Sequence, residues 1–508
     1  MSMCTRQNRS GMVLVVVLVL VLLMGLAAYE YLLSMQTENA AARSSGDHLI
    51  AQQAAFSARD LLAAILALPR SQRQGLGDVA ENPDVFGGIV LDEDMNLETE
   101  DIPIAFVISP EDSTNHQAQT THFGAENESA KLSLLKLIEW DEQKPGSGRE
   151  ALMRFPGMEA TIADALLDWV DRDSHLRFEG AEFDAYASLS TPIRPRNGRP
   201  LDLEELLLVR GVDAARLFGR KTEVPPNGRA QSISALDADQ PWVRLVTVCS
   251  GERNENLHGE PRVLVNDNQL DLLHQRLVER LPVAWANFIV LFRQFGPSLT
   301  GDISTSAKQK TAGDLTIDFS QPAQYRIESP LDLLDVRVAV PGGHDSLAIA
   351  SPFSSEPQMM QSQLPELVDQ ITVTAETRLE GRININRACR EVLLAIPGVD
   401  DSLAERILAA RTMGDNATFG RHHGIWLLTE GIVDVPRMRE LLPNITAGGD
   451  VYRAEFWGCL AGRSLAYRCE AVIDATEGVA RQVFFRELEP KELPADWKAA
   501  DSLLATGN

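Results

Sequence analysis

Six carboxylates fall between positions 168 and 184 of this chain: Asp168, Asp171, Asp173, Glu179, Glu182 and Asp184. Held together by a fold, they repel one another unless a cation or solvent screens them, and carboxylate oxygens in a loop are the ligands that calcium prefers. The spacing is not that of an EF-hand, which needs acids at alternate positions and then a glycine, so a solvated acidic loop stays open as the plainer reading. Asp168 and Asp171 could supply a general acid, but no base or nucleophile accompanies them. The nine histidines are scattered, His422 and His423 being adjacent rather than spaced for a metal, and no GxSxG, HExxH or phosphate loop occurs. Enzymatic activity therefore finds no support. The five cysteines (4, 249, 389, 459 and 469) include no CxxC, which excludes a zinc ribbon, a thioredoxin-type pair and a dense disulfide scaffold.

The acids lie inside one copy of an internal repeat. Residues 152–158 (LMRFPGM), followed by Ile162, Ala163, Leu166 and Leu167, recur at an offset of 241 as residues 393–399 (LLAIPGV), followed by Leu403, Ala404, Ile407 and Leu408. Each copy reads as helix, Pro-Gly hairpin, helix, since glycine permits the tight turn and the spaced apolar residues pack the second helix on the first. A second hairpin signal follows each, at residues 207–212 (LLVRGV) and 427–432 (LLTEGI). Gly157 to Gly211 is 54 positions and Gly398 to Gly431 is 33, so the first copy holds about 21 extra residues, the acidic loop among them. Helix-hairpin-helix units often bind DNA through hairpin amides and nearby basic residues, and an anchored DNA-binding protein is the alternative reading. Here Glu159, Asp400 and Asp401 follow the glycines, placing carboxylate where phosphate would sit.

The whole chain points away from polyanions too. Its 508 residues, 44% hydrophobic and 23% charged, suffice for several cores, and 47 basic against 72 acidic residues give a net charge of -25. Residues 1–11 carry Arg6 and Arg9 and no acid, and residues 12–29 (MVLVVVLVLVLLMGLAAY) carry no charge at all. Eighteen residues at about 1.5 Å each reach roughly 27 Å, the short end of a membrane-crossing helix, and the positive-inside rule puts the N-terminus in the cytoplasm and the rest outside. A cleaved signal peptide would want a clearer A-x-A site than Ala27 and Ala28 offer. Apolar residues continue at helical spacing through residues 40–68 until Pro69, which predicts one long helix.

Arg9-Ser10-Gly11 with the apolar run starting at once resembles the leader of type IV prepilins and type II secretion pseudopilins. The resemblance implies cleavage after Gly11 by a prepilin peptidase and methylation of a new N-terminus at Met12. Most such proteins carry glutamate at the fifth mature position, where this chain has Val16; the protein K family of minor pseudopilins (general secretion pathway) characteristically lacks it. A subunit at a filament tip has no N-terminal amine ahead of it to neutralise. The stretch DWVDRD, GAEFDAY, RPRNG and LDLEELLLVRGV between residues 168 and 212 also resembles that family, in which the inserted helical domain binds calcium. The resemblance implies calcium here, with Asp171, Asp173, Glu179, Glu182 and Asp184 as the pool of ligands. It implies an inner-membrane, single-pass protein with a periplasmic globular part, whose partners are other minor pseudopilins, the major pseudopilin and the peptidase, with no nucleic acid and no small-molecule substrate.

The expected fold is α+β: a pilin-like N-terminal helix packed on an antiparallel sheet, with an inserted α-helical domain of helix-hairpin-helix or SAM-like repeats. The segments are a leader (1–11), a transmembrane helix (12–29), its amphipathic continuation (30–68), first strands and loops (70–130), repeat one with the acidic loop (131–230), an insertion of no assigned role (231–365), repeat two (366–447), C-terminal antiparallel strands (448–490) and a tail (491–508). The family's Asn-rich INLN-type segment appears in the second copy as residues 382–386 (RININ), is replaced by residues 131–137 (KLSLLKL) in the first, and has a third relative in residues 262–267 (RVLVND). Within the insertion, residues 270–281 and 284–295 read as helices, the second with Trp285, Phe288, Phe292 and Phe295 for a core, residues 298–316 as a loop and residues 351–363 as a linker. Residues 451–461, 464–475 and 481–488 read as a meander; a two-residue turn at Gly462-Arg463 would not set Cys459 opposite Cys469.

Overall fold

The structure, a computed structural model, describes residues 10–91, 102–110, 121–219, 240–298, 311–342, 345–413, 419–461 and 465–493. Helix α1 (Ser10–Ala67) is the single long rod that the apolar pattern predicts, and it passes through Met12; most of the leader lies outside the described residues. Its 58 residues extend about 87 Å at 1.5 Å per residue. From Met12 to Ile50 the rod is bare apart from two half-buried residues, and its burial begins at Ala51.

From Ala51 onward the helix lies on an antiparallel sheet. Short strands β1 (Ile89–Val90), β2 (Pro103–Ile108) and β3 (Glu126–Asn127) precede the helical insertion. The insertion consists of three units, each framed by two short parallel strands. The first runs from β4 (Leu132–Ser133) to β5 (Val246–Thr247). After β6 (Gly251–Arg253), the second runs from β7 (Val263–Leu264), through the hairpin β8 (Arg337–Gly342) and β9 (Asp345–Ala350), to β10 (Ile371–Thr372). After β11 (Arg378–Glu380), which pairs with β6, the third runs from β12 (Ile383–Asn384) to β13 (Ile445–Thr446). The long strands β14 (Val451–Leu460), β15 (Leu465–Asp474) and β16 (Arg481–Glu492) then complete a sheet in the order β1-β2-β14-β15-β16, with β3 also on β14. The fold is thus α+β, with the long helix on the sheet and the helices inserted between its early and late strands.

The insertion between repeats is therefore a third unit of the same plan. Each closing strand ends in a threonine whose Oγ1 accepts the backbone N–H two residues on: Cys249 N to Thr247 at 3.1 Å, Thr374 N to Thr372 at 3.4 Å and Gly448 N to Thr446 at 3.2 Å. Asn266 and Asn386 hold the opening strands in the same way, Nδ2 donating to Val373 O at 3.2 Å and to Ala447 O at 3.4 Å. The first unit has Leu135 at that position and lacks this amide clasp. The expected helices of the middle unit are found at Leu270–Val278 and Val283–Phe295, with Trp285, Phe288 and Phe292 buried. Residues 351–363 are not a linker. Helix Pro357–Gln370 occupies most of them, started by its N-terminal proline and held by buried Met360, Leu364 and Leu367. Gly157 and Gly398 turn left-handed, at φ 65° and 89°, between the helices of the two Pro-Gly hairpins.

Close approach of helix to sheet depends on small residues. Ala51, Ala54, Ala55 and Ala58 bury against the sheet at Gly458, where a Cβ would lie 2.0 Å from Ala51 O. Cys469 lies in this helix-facing core, whereas Cys459 lies in the small cluster on the sheet's other face, and both thiols are free. Burial raises each to about 12, so neither is a ready thiolate. The turn at Gly462-Arg463 lies outside the described residues. Gly458→Val should separate helix from sheet and cost about 3 kcal/mol, the upper range for overpacking; an unchanged denaturation midpoint for the full chain in detergent would refute this contact.

Candidate functional site

The acidic loop follows helix Ala160–Val170, whose C-terminal turn carries Asp168 and Asp171, both buried. Carboxylates at a helix C-terminus meet the negative end of its dipole and need compensation. Part of it comes from within the loop. Arg177 folds back so that Nη1 donates to Asp168 Oδ1 at 2.8 Å and to Asp171 Oδ2, while Nη2 reaches Asp141 Oδ2 at 3.2 Å. Asp168 also accepts from Ala181 N at 2.9 Å, an approach that requires Gly180, since a Cβ there would stand 1.9 Å from Asp168 Oδ2. The neighbouring Asp164 accepts from Arg149 Nη1 and from Glu179 N, both at 3.1 Å.

The five expected ligands are not gathered equally. Asp171 and Glu182 are buried beside Asp168, and burial, then mutual repulsion, raises the Glu182 pKa. Asp173 is exposed and held below the usual carboxylate range by the His175 backbone N–H, which it accepts at 2.7 Å. Glu179 is half-buried, 3.7 Å from Arg149, and Asp184 is exposed on the short helix Phe183–Ala187. Among the described residues no three His, Cys, Asp or Glu side chains stand grouped to hold a metal ion.

What remains uncompensated is nevertheless specific. Asp171 Oδ1, both Glu182 carboxylate oxygens and Asn197 Oδ1 are buried without a hydrogen-bond partner. All four are hard oxygens, the atom type that calcium takes. Asn197 sits at φ 45° with Nδ2 donating to Asp173 O, which ties its segment to the acidic loop. Sequence reasoning missed Asn197 as an oxygen donor and Arg177 as an internal counter-charge; the RPRNG run was visible, but nothing in it showed which acid its asparagine would approach. A scaffold holds the region: Trp169 meets Tyr186 edge-on at 5.2 Å and donates from Nε1 to Glu205 at 3.0 Å, while Arg196 grips the same Glu205. The second hairpin seats Gly211, at φ 86°, directly on Ile162, where a Cβ would come within 2.8 Å.

The hairpins themselves present acid rather than open amides. Glu159 pairs with Arg216 at 2.5 Å, Asp400 accepts from Leu403 N at 2.8 Å, and Gly398 O accepts from Arg437.

Residues 132–218, the first unit up to its second hairpin, match the family model for type II secretion system (T2SS), protein K. Over this stretch the chain is similar to type II secretion protein K. Type II secretion system protein K of Dickeya chrysanthemi is 30% identical over 132 residues, 26% of this chain and 32% of its own length. The protein K of Pectobacterium carotovorum subsp. carotovorum is 29% identical over 134 residues, 26% of this chain and 36% of its own. The match thus spans about a third of these curated relatives. A chain in the solved GspK-GspI-GspJ complex of the enterotoxigenic Escherichia coli type 2 secretion system aligns over 89% of this chain and 99% of its own, at 11% identity and a TM-score of 0.35, too loose to define a shared fold. The matched residues therefore coincide with the unit that holds the acidic loop.

The loop's electrostatics give a direct test. Glu182, with its folded pKa raised above the unfolded 4.5, costs stability at neutral pH, and that cost is relieved as pH falls through the folded value toward 4.5. In chelator, Glu182→Gln should melt a few degrees above the parent at pH 7.5, the gap closing near pH 4.5. A variant that melts lower at pH 7.5 would show that Glu182 is compensated.

Proposed function

We propose that this chain is a minor pseudopilin that caps or initiates the tip of a type II secretion pseudopilus, for protein export across the outer membrane. The supporting observation is where the helical units sit. The segment between the first and second units lies on the C-terminal end of α1, the end away from the apolar residues: Arg253 donates to Leu66 O at 3.3 Å and Leu68 O at 3.0 Å, and Ser71 N donates to Leu257 O at 2.9 Å. A rod crowned in this way can pack its bare half among neighbouring helices, but it leaves little room for another subunit above. Val16, in place of glutamate, agrees with a subunit that has no amine ahead of it. The bare, charge-free residues 12–29 would sit in the inner membrane with the domain in the periplasm, and α1 is the one helix among the described residues long and apolar enough to cross a membrane.

The acidic loop is read as a calcium site of this domain. Asp171 Oδ1, the Glu182 carboxylate and Asn197 Oδ1 are the groups that would contact the ion, Asp173 adding charge beside them, with Arg177 as the resident counter-charge for Asp168. Calcium would stabilise the loop electrostatically and take part in no reaction. Partners on this reading are the other minor pseudopilins, the major pseudopilin and, before assembly, the prepilin peptidase.

Two measurements test these readings separately. Coexpressed with a prepilin peptidase and extracted from membranes, the protein should begin at a methylated Met12; a soluble product starting beyond residue 28 would end the pseudopilin reading. Adding millimolar calcium to the chelated full chain should raise its melting temperature by several degrees, as linkage requires of a ligand well above its Kd. Loss of that rise in Glu182→Gln supports the assigned oxygens, whereas an equal rise in parent and variant removes them.

A further inference from the structure

We propose that the outer edge of β16 is a docking strand for an extended segment of a different protein, added antiparallel, with basic residues in its first half and acidic residues in its second. β16 ends the sheet order, and among the described residues only β15 pairs with it. It runs for 12 residues, and ten of them are exposed, only Phe484 and Leu488 being partly covered. Long free edges expose a row of N–H and C=O groups that templates pairing with another chain, which is why natural sheets keep edges short or blocked. Here the block comes late, at Pro490, which leaves residues 481–489 open. Val483 is 49% and Phe485 40% exposed, the latter ring edge-on to Phe56 of α1 at 6.0 Å, so an added strand would also cover apolar surface.

The charges set the direction. The first half of the strand carries no acid and two arginines, Arg481, paired with Glu477 at 2.8 Å, and Arg486, paired with Glu204 at 2.5 Å and with Glu470, while the second carries Glu487, Glu489 and Glu492 against Lys491. An antiparallel partner with basic residues first and acidic residues last meets both halves with opposite charge, and directly opposed pairs of that kind stabilise a sheet. A second copy of β16 has this order, placing Arg486 against Glu487 and Arg481 against Glu492. Geometry excludes it in a membrane. α1 lies along the strands, with Gly458 of β14 at Ala51 and Asp450, just before β14, at Arg73. A two-fold axis pairing β16 with itself would therefore point the two apolar segments in opposite directions. The occupant is a strand of another protein.

The anchor-free peptide of residues 481–492 (RQVFFRELEPKE) has the required order and serves as the probe. Titrated into the full chain in detergent, it should saturate and slow amide hydrogen exchange of residues 481–489 by tenfold or more, while a peptide with every charge reversed binds at least tenfold more weakly. Equal binding of both peptides would reduce the edge to non-specific stickiness and overturn the assignment. So would protection, in the free chain, of the amides of residues 481–489 that point away from β15, which would mean that the edge is already covered. Cross-linking of Glu487→Cys, which lies beside the two-fold axis of that register, between two copies in intact membranes would assign the strand to a second copy instead.

Discussion

Everything beyond the bare half of α1 depends on how one buried charge cluster ties three parts of the chain together. Arg253, between the first and second units, donates to the last carbonyls of α1, the groups that a helix end leaves without partners. Asp450, fully buried before β14, accepts from Arg253 N at 2.8 Å and pairs with Arg73 and, at 3.4 Å, with Arg70. Burial favours the neutral acid, but Arg70, Arg73 and Arg253 outweigh it and hold Asp450 far below the usual carboxylate range. Buried ion pairs of this kind are weak stabilisers compared with apolar packing, yet losing one partner strands the other charge. Such a cluster defines a geometry more than it adds stability, because helix end, unit and sheet satisfy it in only one relative placement.

A second buried network fixes the first unit to the sheet. Glu128 accepts from Arg453 Nε at 2.8 Å, from Lys131 at 3.1 Å and from the closing threonine of the unit, Thr247. Burial opposes its charge, but Lys131, Arg453 and Thr247 prevail and hold its pKa at about 2. The stability that Glu128 contributes is thus present above its unfolded value of 4.5 and is lost only as pH falls toward 2. The pattern repeats at the third unit, where Thr446 donates to Glu252 at 2.6 Å and Glu252 pairs with Arg70 and Arg382. The same threonine that closes a unit therefore also helps to moor it.

This explains which features could be read from residue order. Local constraints were legible: the charge-free run of α1, Pro69 at its end, the glycines of the hairpins and the alternation in β14 to β16. The Asn266 segment was visible as a relative of Asn386, but the middle unit has Leu281-Pro282 where its neighbours have Pro-Gly, so its kinship emerges only once β7 is seen to pair with β10. Helix Pro357–Gln370 hid behind two prolines and few apolar residues, since its burial is decided by the units around it. In the acidic loop, charge density was plain, but Arg177 reaches Asp141 across 36 positions and its choice of partners is made by the fold.

The two halves of α1 then follow one rule with different solvents. Below Ala51 the helix carries its apolar surface uncovered, which is stable only where lipid or neighbouring helices replace water. Above it, alanines and Gly458 bring helix and sheet so close at that point that not even a Cβ fits at Gly458. The boundary between these regimes is abrupt, one turn near Ile50, so the domain can neither slide down the rod nor tilt about it without losing the alanine contacts. Load applied to the exposed half is therefore passed through α1 to the Arg253–Asp450 cluster and the three units above it. The bare half of α1 is thereby joined, through the alanine contacts and the Arg253–Asp450 cluster, to the helical units at its other end.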